Sequence, residues 1–467
     1  MLFSEHFFLL YFFPIFISLY LLVFSRSLNL SNYIIIAGSF IFYASFGIDN
    51  LTILFIPMLL DFLLGIVIHH SKNIKTKKLL LLLGILVNLA VLVYFKYTFF
   101  IASNLLLLHD SEIIKKIAST SVILPVGISF ITFQRIAYIV DIYRGELIPS
   151  YNFVHYSTYA TIFPHLISGP IVRYTKIKDQ LEKRIISATT LFEGMKYFTI
   201  GLGIKILLAD KIFNVESNIT QNLARFGSVE TLILIFLFSL RIYLDFSGYS
   251  LIAVGLAKCM GFNFPMNFDS PYRADSFQNF WRRWNITLSE WLRDYLYIPL
   301  GGNRKGNFNT YRNLIITFLL GGLWHGASWN FVLWGGLHGS YLAIERFLTF
   351  KKIRVSAPVW IKKAFIFLIV SLTWTTFIFK DFTQLKLIIK KVVFFNQGVM
   401  DTYFLKLLLV SSPFIIIAVV WSFFAGEKTL EKIKPGIFMS ILLIMLFILT
   451  LTVALNSDAV PFIYFQF

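Results

Sequence analysis

Eight histidines are spread over the 467 residues, and imidazole is the side chain whose ordinary proton affinity suits exchange near neutral pH. Position sorts them. His6, His109 and His155 fall in loops or at the edges of apolar runs, and His69 and His70 end such a run beside a lysine loop. An amphipathic ring at those places suits the headgroup layer. His325 differs, because Gly321-Gly322-Leu323-Trp324 precedes it, Gly326 follows it, and the flanking sequence is apolar on both sides. An ionisable group at membrane depth is costly and is a functional-site hypothesis by default. A neutral imidazole there can accept a hydroxyl proton and return one to a leaving group, which is what moving an acyl group between two carriers requires. The other reading is a weakly stabilising hydrogen bond between helices, and position alone leaves both open.

His338-Gly339 and His165, which stands between Pro164 and Leu166, are ambiguous in the same way. Trp324, Ser328, Trp329, Asn330 and Trp334 serve equally well as packing and interfacial anchors. The sequence carries no Ser/His/Asp triad signature, no Gly-rich phosphate loop and no His/Cys/Asp cluster with metal spacing. The expectation is therefore no metal and no bound cofactor. Cys259 is the single cysteine, which excludes an internal disulfide, and it reads as packing.

The elements that must hold these residues are membrane helices. Hydrophobic residues make up 57% of the chain, aromatic residues 18% and charged residues 14%, far from the balance of a soluble domain. Apolar runs long enough to cross about 30 Å of hydrocarbon recur throughout. The net charge of +18 sits in short loops between those runs rather than on one face. It reports cytoplasmic loops and anionic lipid headgroups as partners, not nucleic acid.

The first run, Phe7 to Phe24, lacks a basic leader region and reads as a retained span. Loop charges, from Glu5 outside to Arg26, Asp49 and Lys72 to Lys78 in turn, put the N-terminus outside, and a fifth span runs from Val122 to Val140. The stretch Tyr156 to Gly169 has basic flanks on both sides and contains Pro164, which predicts a re-entrant element. Spans at about Ile186 to Leu208 and Leu232 to Ala257 lead to a polar, aromatic region from Asn263 to Arg312 with interfacial helices. A second re-entrant hairpin follows between Arg312 and the basic cluster Lys351, Lys352 and Arg354. Its rise of about 20 Å to His325 places the imidazole at the turn. Spans near Val359 to Phe379, Phe404 to Phe424 and Ile437 to Leu455 complete about ten. Lys386, Lys390 and Lys391 fall on the outer side, against the charge rule.

Trp324-His325-Gly326 followed by Trp334-Gly335-Gly336-Leu337-His338-Gly339 resembles the core signature of the membrane-bound O-acyltransferase superfamily. Phe280-Trp281-Arg282-Arg283-Trp284, Ser289 and the string from Trp291 to Arg304, including Tyr297-Ile298-Pro299-Leu300-Gly301-Gly302, resemble its bacterial alginate and peptidoglycan O-acetyltransferase branch. So do Phe42-Tyr43-Ala44-Ser45, Leu124 to Phe130, Ser168 to Arg173 and Asp245 to Ser250. The resemblance weakens after about Lys351.

It implies an all-α polytopic fold, a ring of tilted helices around a central tunnel, as one integral-membrane domain over 1–467. The signature core lies at about 120–348 and the C-terminal helices at about 357–467. It further implies transfer of acetyl groups from a cytoplasmic donor, acetyl-CoA, to an extracytoplasmic polysaccharide, with His325 as general base. A separate extracytoplasmic acetyltransferase would be the partner and the bacterial inner membrane the location. Asn285, Trp324, Ser289, Asn330 and His338 would support the site. Trp281, Arg282, Trp284, Arg293, Asp294 and Tyr297 would line the donor tunnel, with Arg283 and Lys305 as further phosphate contacts. Each basic residue singly also reads as a positive-inside anchor. Three positions depart from the pattern: Asn285 stands where His is usual, Leu251 where Asp is common, and His165 where Gln is usual. Asn285 can orient a partner by hydrogen bonds but cannot relay a proton. The competing readings are a transporter without acyl chemistry, and transfer of D-alanyl or fatty acyl groups by the same fold.

Overall fold

The computed structural model describes all residues except 121–122, 354–355, 380, 397, 399–401, 458–459 and 466–467. Val122, the expected start of the fifth span, and Arg354 lie outside the described residues. Regular structure among the described residues is helical throughout. Five helices are long and apolar enough to cross a membrane: Asn50–His70, Ile74–Leu106, Val359–Ile378, Thr402–Phe423 and Ile437–Leu455. Phe8–Phe24 and Leu28–Ala44 are shorter apolar helices. The chain is an all-α, multi-pass membrane protein.

The chain divides into two compact units, 1–196 with 253–265, and 197–252 with 266–467. In the first, a phenylalanine cluster packs Phe3, Phe8, Phe12 and Phe16 around Phe42 and Phe163. Asp61 and Asn88 form a buried polar pair across helices, which hydrocarbon surroundings favour. Asp61 accepts from Asn88 at 2.8 Å and lies 3.9 Å from Arg135. The stretch expected to be irregular is so. Helix Phe153–Thr161 stops where Ile162 takes φ −52°, ψ 113°, and a short helix restarts at Phe163–Leu166. Pro164 sits in the first positions of that helix, where its missing N–H costs nothing. Residues 156–172 are buried, so protein encloses the broken backbone.

In the second unit the expected span ending at Leu208 instead runs on. A π-helical stretch, Ile204–Ala209, leads into helix Asp210–Gln221. Two charges within this continuous stretch, Lys205 and Asp210, are paired with each other at 2.6 Å. Lys391 was anomalous as an outer charge. It is buried in the amphipathic helix Phe382–Val393, and its ammonium donates to the carbonyls of Leu223 and Phe226. It satisfies backbone carbonyls just past helix Asp210–Gln221 rather than facing solvent, so it does not weigh in the charge rule.

Candidate active site

Helices Gly306–His325 and Trp329–Phe350 form a hairpin with His325 as the last residue of the first helix. Gly326, with φ −166°, leaves helical geometry, and Ser328 caps the return helix by accepting from the amide of Asn330 at 3.4 Å. The two helices approach closely because glycines face the partner backbone. A Cβ at Gly335 would lie 2.9 Å from the carbonyl carbon of Phe318 and 3.0 Å from Cα of Leu319, and one at Gly339 would lie 3.0 Å from Cα of Ile315. Small residues at such an interface let backbones pack against each other where water supplies no driving force.

His325 is only 4% exposed. Its ring lies 4.9 Å from Trp324, 4.8 Å from Trp334, 5.4 Å from Phe377 and 5.5 Å from Tyr464, centroid to centroid. Trp334 also lies 4.8 Å from His338, so one indole stands between the two histidines. His338 Nδ1 accepts from the indole N–H of Trp281 at 3.3 Å, while its Nε2 has no protein partner among the described residues. The chain of contacts therefore runs from Trp281 through His338 and Trp334 to His325.

Trp281 also lines a cavity of about 490 Å³. Arg282, Ser289, Arg293 and Tyr297 share its wall, opposite groups from the hairpin that include Thr310, Thr317, Glu345 and Arg346. The wall thus mixes three guanidiniums with apolar surface from Leu314, Phe318 and Leu342, a combination suited to an anionic head on an apolar or thioester arm. Glu345 is committed elsewhere. Its carboxylate accepts from the amides of Phe277 at 2.7 Å and Gln278 at 3.3 Å, which fastens the start of helix Phe277–Trp281 to the hairpin. Arg293 is gripped by Asp294 at 2.6 and 3.1 Å, and that carboxylate raises the guanidinium's proton affinity.

Trp284 and Asp294 are not on the cavity wall. Trp284 is buried against Trp374 at 4.8 Å, and Trp374 stacks on Trp334 at 5.8 Å. Arg283 is held by Asn279 and Asp269, and Lys305 likewise lies off the wall. Asn285 is fully buried, with φ 40° and ψ 59°, and begins helix Ile286–Leu292. Neither atom of its amide has a protein partner among the described residues. Ser289 donates to the Trp284 carbonyl at 3.2 Å. The Asn330 amide donates to the carbonyl of Phe379, tying the hairpin to the end of helix Val359–Ile378. His165 is in the first unit, stacked on Phe264 at 5.7 Å and edge-on to Tyr159.

Sequence reasoning missed Phe377, Trp374 and Tyr464 around the histidines, and Glu345 and Arg346 on the cavity. The last two lie about two helical turns beyond His338 on the same helix, a spacing that could have found them. Phe377 and Tyr464 come from outside the recognisable motifs and left no local signal.

A family model described as membrane-bound O-acyltransferase matches residues 72–380. A protein of Pseudomonas putida named "Probable alginate O-acetylase AlgI" is 41% identical over 387 residues, covering 81% of this chain and 77% of the relative. A peptidoglycan O-acetyltransferase of Helicobacter pylori is 33% identical over 399 residues, covering 78% and 73%. A teichoic acid D-alanyltransferase of Streptococcus thermophilus is 28% identical over 268 residues, covering 54% and 64%. The chain belongs to the membrane-bound O-acyltransferase family, and is an acyltransferase by class.

Proposed function

We propose that this protein is an O-acetyltransferase of the bacterial inner membrane that moves acetyl groups from cytoplasmic acetyl-CoA toward hydroxyls of an extracytoplasmic polysaccharide. The acceptor is peptidoglycan or an alginate-like exopolysaccharide, reached directly or through a separate extracytoplasmic acetyltransferase. The observation that carries the reading is the hairpin, which buries His325 at its turn while its outer turns line the arginine-bearing cavity. The longer and more identical matches to acetylases than to the D-alanyltransferase support acetyl as the cargo.

In this reading the cavity holds the donor, with Arg282, Arg293 and Arg346 toward its phosphates and Trp281 and Tyr297 along its arm. His325 takes the proton of the acceptor hydroxyl as that oxygen attacks the thioester carbonyl. The carbon–sulfur bond breaks, and the proton passes to the departing thiolate. Asn285 and His338 orient groups around the reacting carbonyl. A positioned base is worth roughly 10²–10⁴-fold.

The test compares O-acetyl ester content of isolated peptidoglycan and of other extracytoplasmic polymers from cells with the native protein, His325→Ala and no protein, at matched membrane levels. His325→Ala is expected to equal the deletion, and the polymer that loses esters is the acceptor. Unchanged esters in all three strains would sink the acetyltransferase reading and bring transport forward, whereas loss of D-alanyl esters instead would reassign the cargo.

A further inference from the structure

Residues 460–464 follow helix Ile437–Leu455 without regular helix until Ile463, yet they are held at two points by one buried ionic group. The Lys205 ammonium lies 2.6 Å from Asp210 and 2.8 Å from Asp245, and it also donates to the carbonyl of Val460 at 3.1 Å. The second oxygen of Asp245 accepts from the amide of Ile463 at 2.7 Å. One cation thus faces two carboxylates, Asp245 buried and Asp210 partly so. Such a group is tolerable only when further donors satisfy it, and the Ile463 amide is one.

Aromatic packing continues the grip. Phe462 stacks on Tyr249 at 4.6 Å, and Tyr464 lies 4.5 Å from Phe246. Asp245, Phe246 and Tyr249 all belong to one helical stretch, so a single face holds the segment by charge and by rings. The result is Tyr464 against His325 at 5.5 Å, with the rings tilted by 49°.

We propose that Tyr464 is a positioning residue for His325, and that Lys205 and Asp245 exist to hold it there. The proposal rests on the reading of His325 as proton acceptor. Helical constraint ends at His325, beside Gly326, and its ring packs against four aromatic walls. Trp324, Trp334 and Phe377 are carried on long helices. Tyr464 is not, and its place depends on the two anchors. A shift of about 1 Å in a reacting group can cost about 10²-fold in rate, which makes a loosely held wall a catalytic liability and an anchored one an asset.

The experiment uses full-length protein in its membrane and the variants Tyr464→Phe, Tyr464→Leu, Tyr464→Ala and Asp245→Asn. Diethyl pyrocarbonate modification of His325 is followed by mass spectrometry of its peptide, with His338 as internal reference, alongside acyl transfer and its pH profile. Tyr464→Leu, Tyr464→Ala and Asp245→Asn are expected to label severalfold faster at His325 with His338 unchanged. Transfer is expected to fall by roughly 10–100-fold through kcat rather than KM, with a displaced pH profile. Tyr464→Phe, which keeps the ring, is expected to retain native labelling and most of the transfer. If Tyr464→Ala does not reach the membrane, Tyr464→Leu decides. Unchanged labelling at His325 overturns the proposal whatever transfer does, and so does faster labelling with full transfer. Full transfer by His325→Ala would instead remove the proton-acceptor reading, and labelling would still report whether the segment shields the ring.

Discussion

The indole N–H of Trp281 points at Nδ1 of His338 across 3.3 Å, and because an indole can only donate, this bond fixes the tautomer of the histidine. Nδ1 is the acceptor, so neutral His338 carries its proton on Nε2. That N–H is buried without a protein acceptor among the described residues, which leaves it available to a substrate oxygen. Trp281→Phe keeps a ring on the cavity wall and deletes the donor. Stability is expected to drop by about 0.5–1.5 kcal/mol, read as a lowered unfolding midpoint in detergent, with KM for the donor raised. An unchanged midpoint would mean the bond contributes nothing.

Asn285 combines a left-handed backbone with a buried amide that has no partner among the described residues, and the two properties can be separated. Asn285→Ala is expected to lose about 1–2 kcal/mol from the backbone alone, while Asn285→Gly relieves that strain. Both lack the amide, so both are expected to lose transfer equally despite their different unfolding midpoints. Asn285→His suits the same backbone region and is expected to keep transfer. Equal activity of the glycine variant and the native protein would show that the amide is idle.

The hairpin interface yields a paired test. Gly335→Ala puts a methyl into the backbone of Phe318 and Leu319, whereas the same change at Gly336 meets only a leucine methyl at 3.6 Å. Gly335→Ala is expected to cost about 1–3 kcal/mol and to displace His325 with it. Gly336→Ala is expected to be near neutral in both unfolding and transfer rate.

Arg346→Ala tests the cavity proposed to hold the donor. A charge-assisted hydrogen bond to phosphate is worth about 1.5–3 kcal/mol, so KM for acetyl-CoA is expected to rise by about 10–150-fold with kcat little changed. Steady-state transfer in membrane vesicles, with free CoA as competitor, measures both. Lys428→Ala, which removes a partner of Asp269 off the cavity wall, serves as the control. A kcat loss at constant KM would place Arg346 elsewhere in the cycle.

The sequence was informative wherever contacts are local. Gly326 and Ser328 mark the hairpin turn at His325 because a helix end is written in its own residues. Trp281, Arg282, Ser289, Arg293 and Tyr297 reach one cavity wall from neighbouring short helices, so their grouping followed from a short stretch of chain. Trp284, which the resemblance puts with the tunnel residues, packs into the Trp374 stack, since neighbours in sequence face different ways on a helix. Lys205 gives no local sign of its role, because a charge can be recognised as paired only once Asp245, forty residues on, is known to meet it. Tyr464 was invisible for the same reason. Nothing in its surroundings points to a partner that lies over a hundred residues earlier.

That separation has a consequence for how the protein is made. At synthesis rates of roughly 5–20 residues per second, His325 leaves the ribosome many seconds before Tyr464, which packs against it at 5.5 Å. During that interval the nascent chain already holds its histidine hairpin but lacks the fourth aromatic wall. Completion of the pocket therefore waits for translation of the segment that carries Tyr464 rather than for membrane insertion of the hairpin.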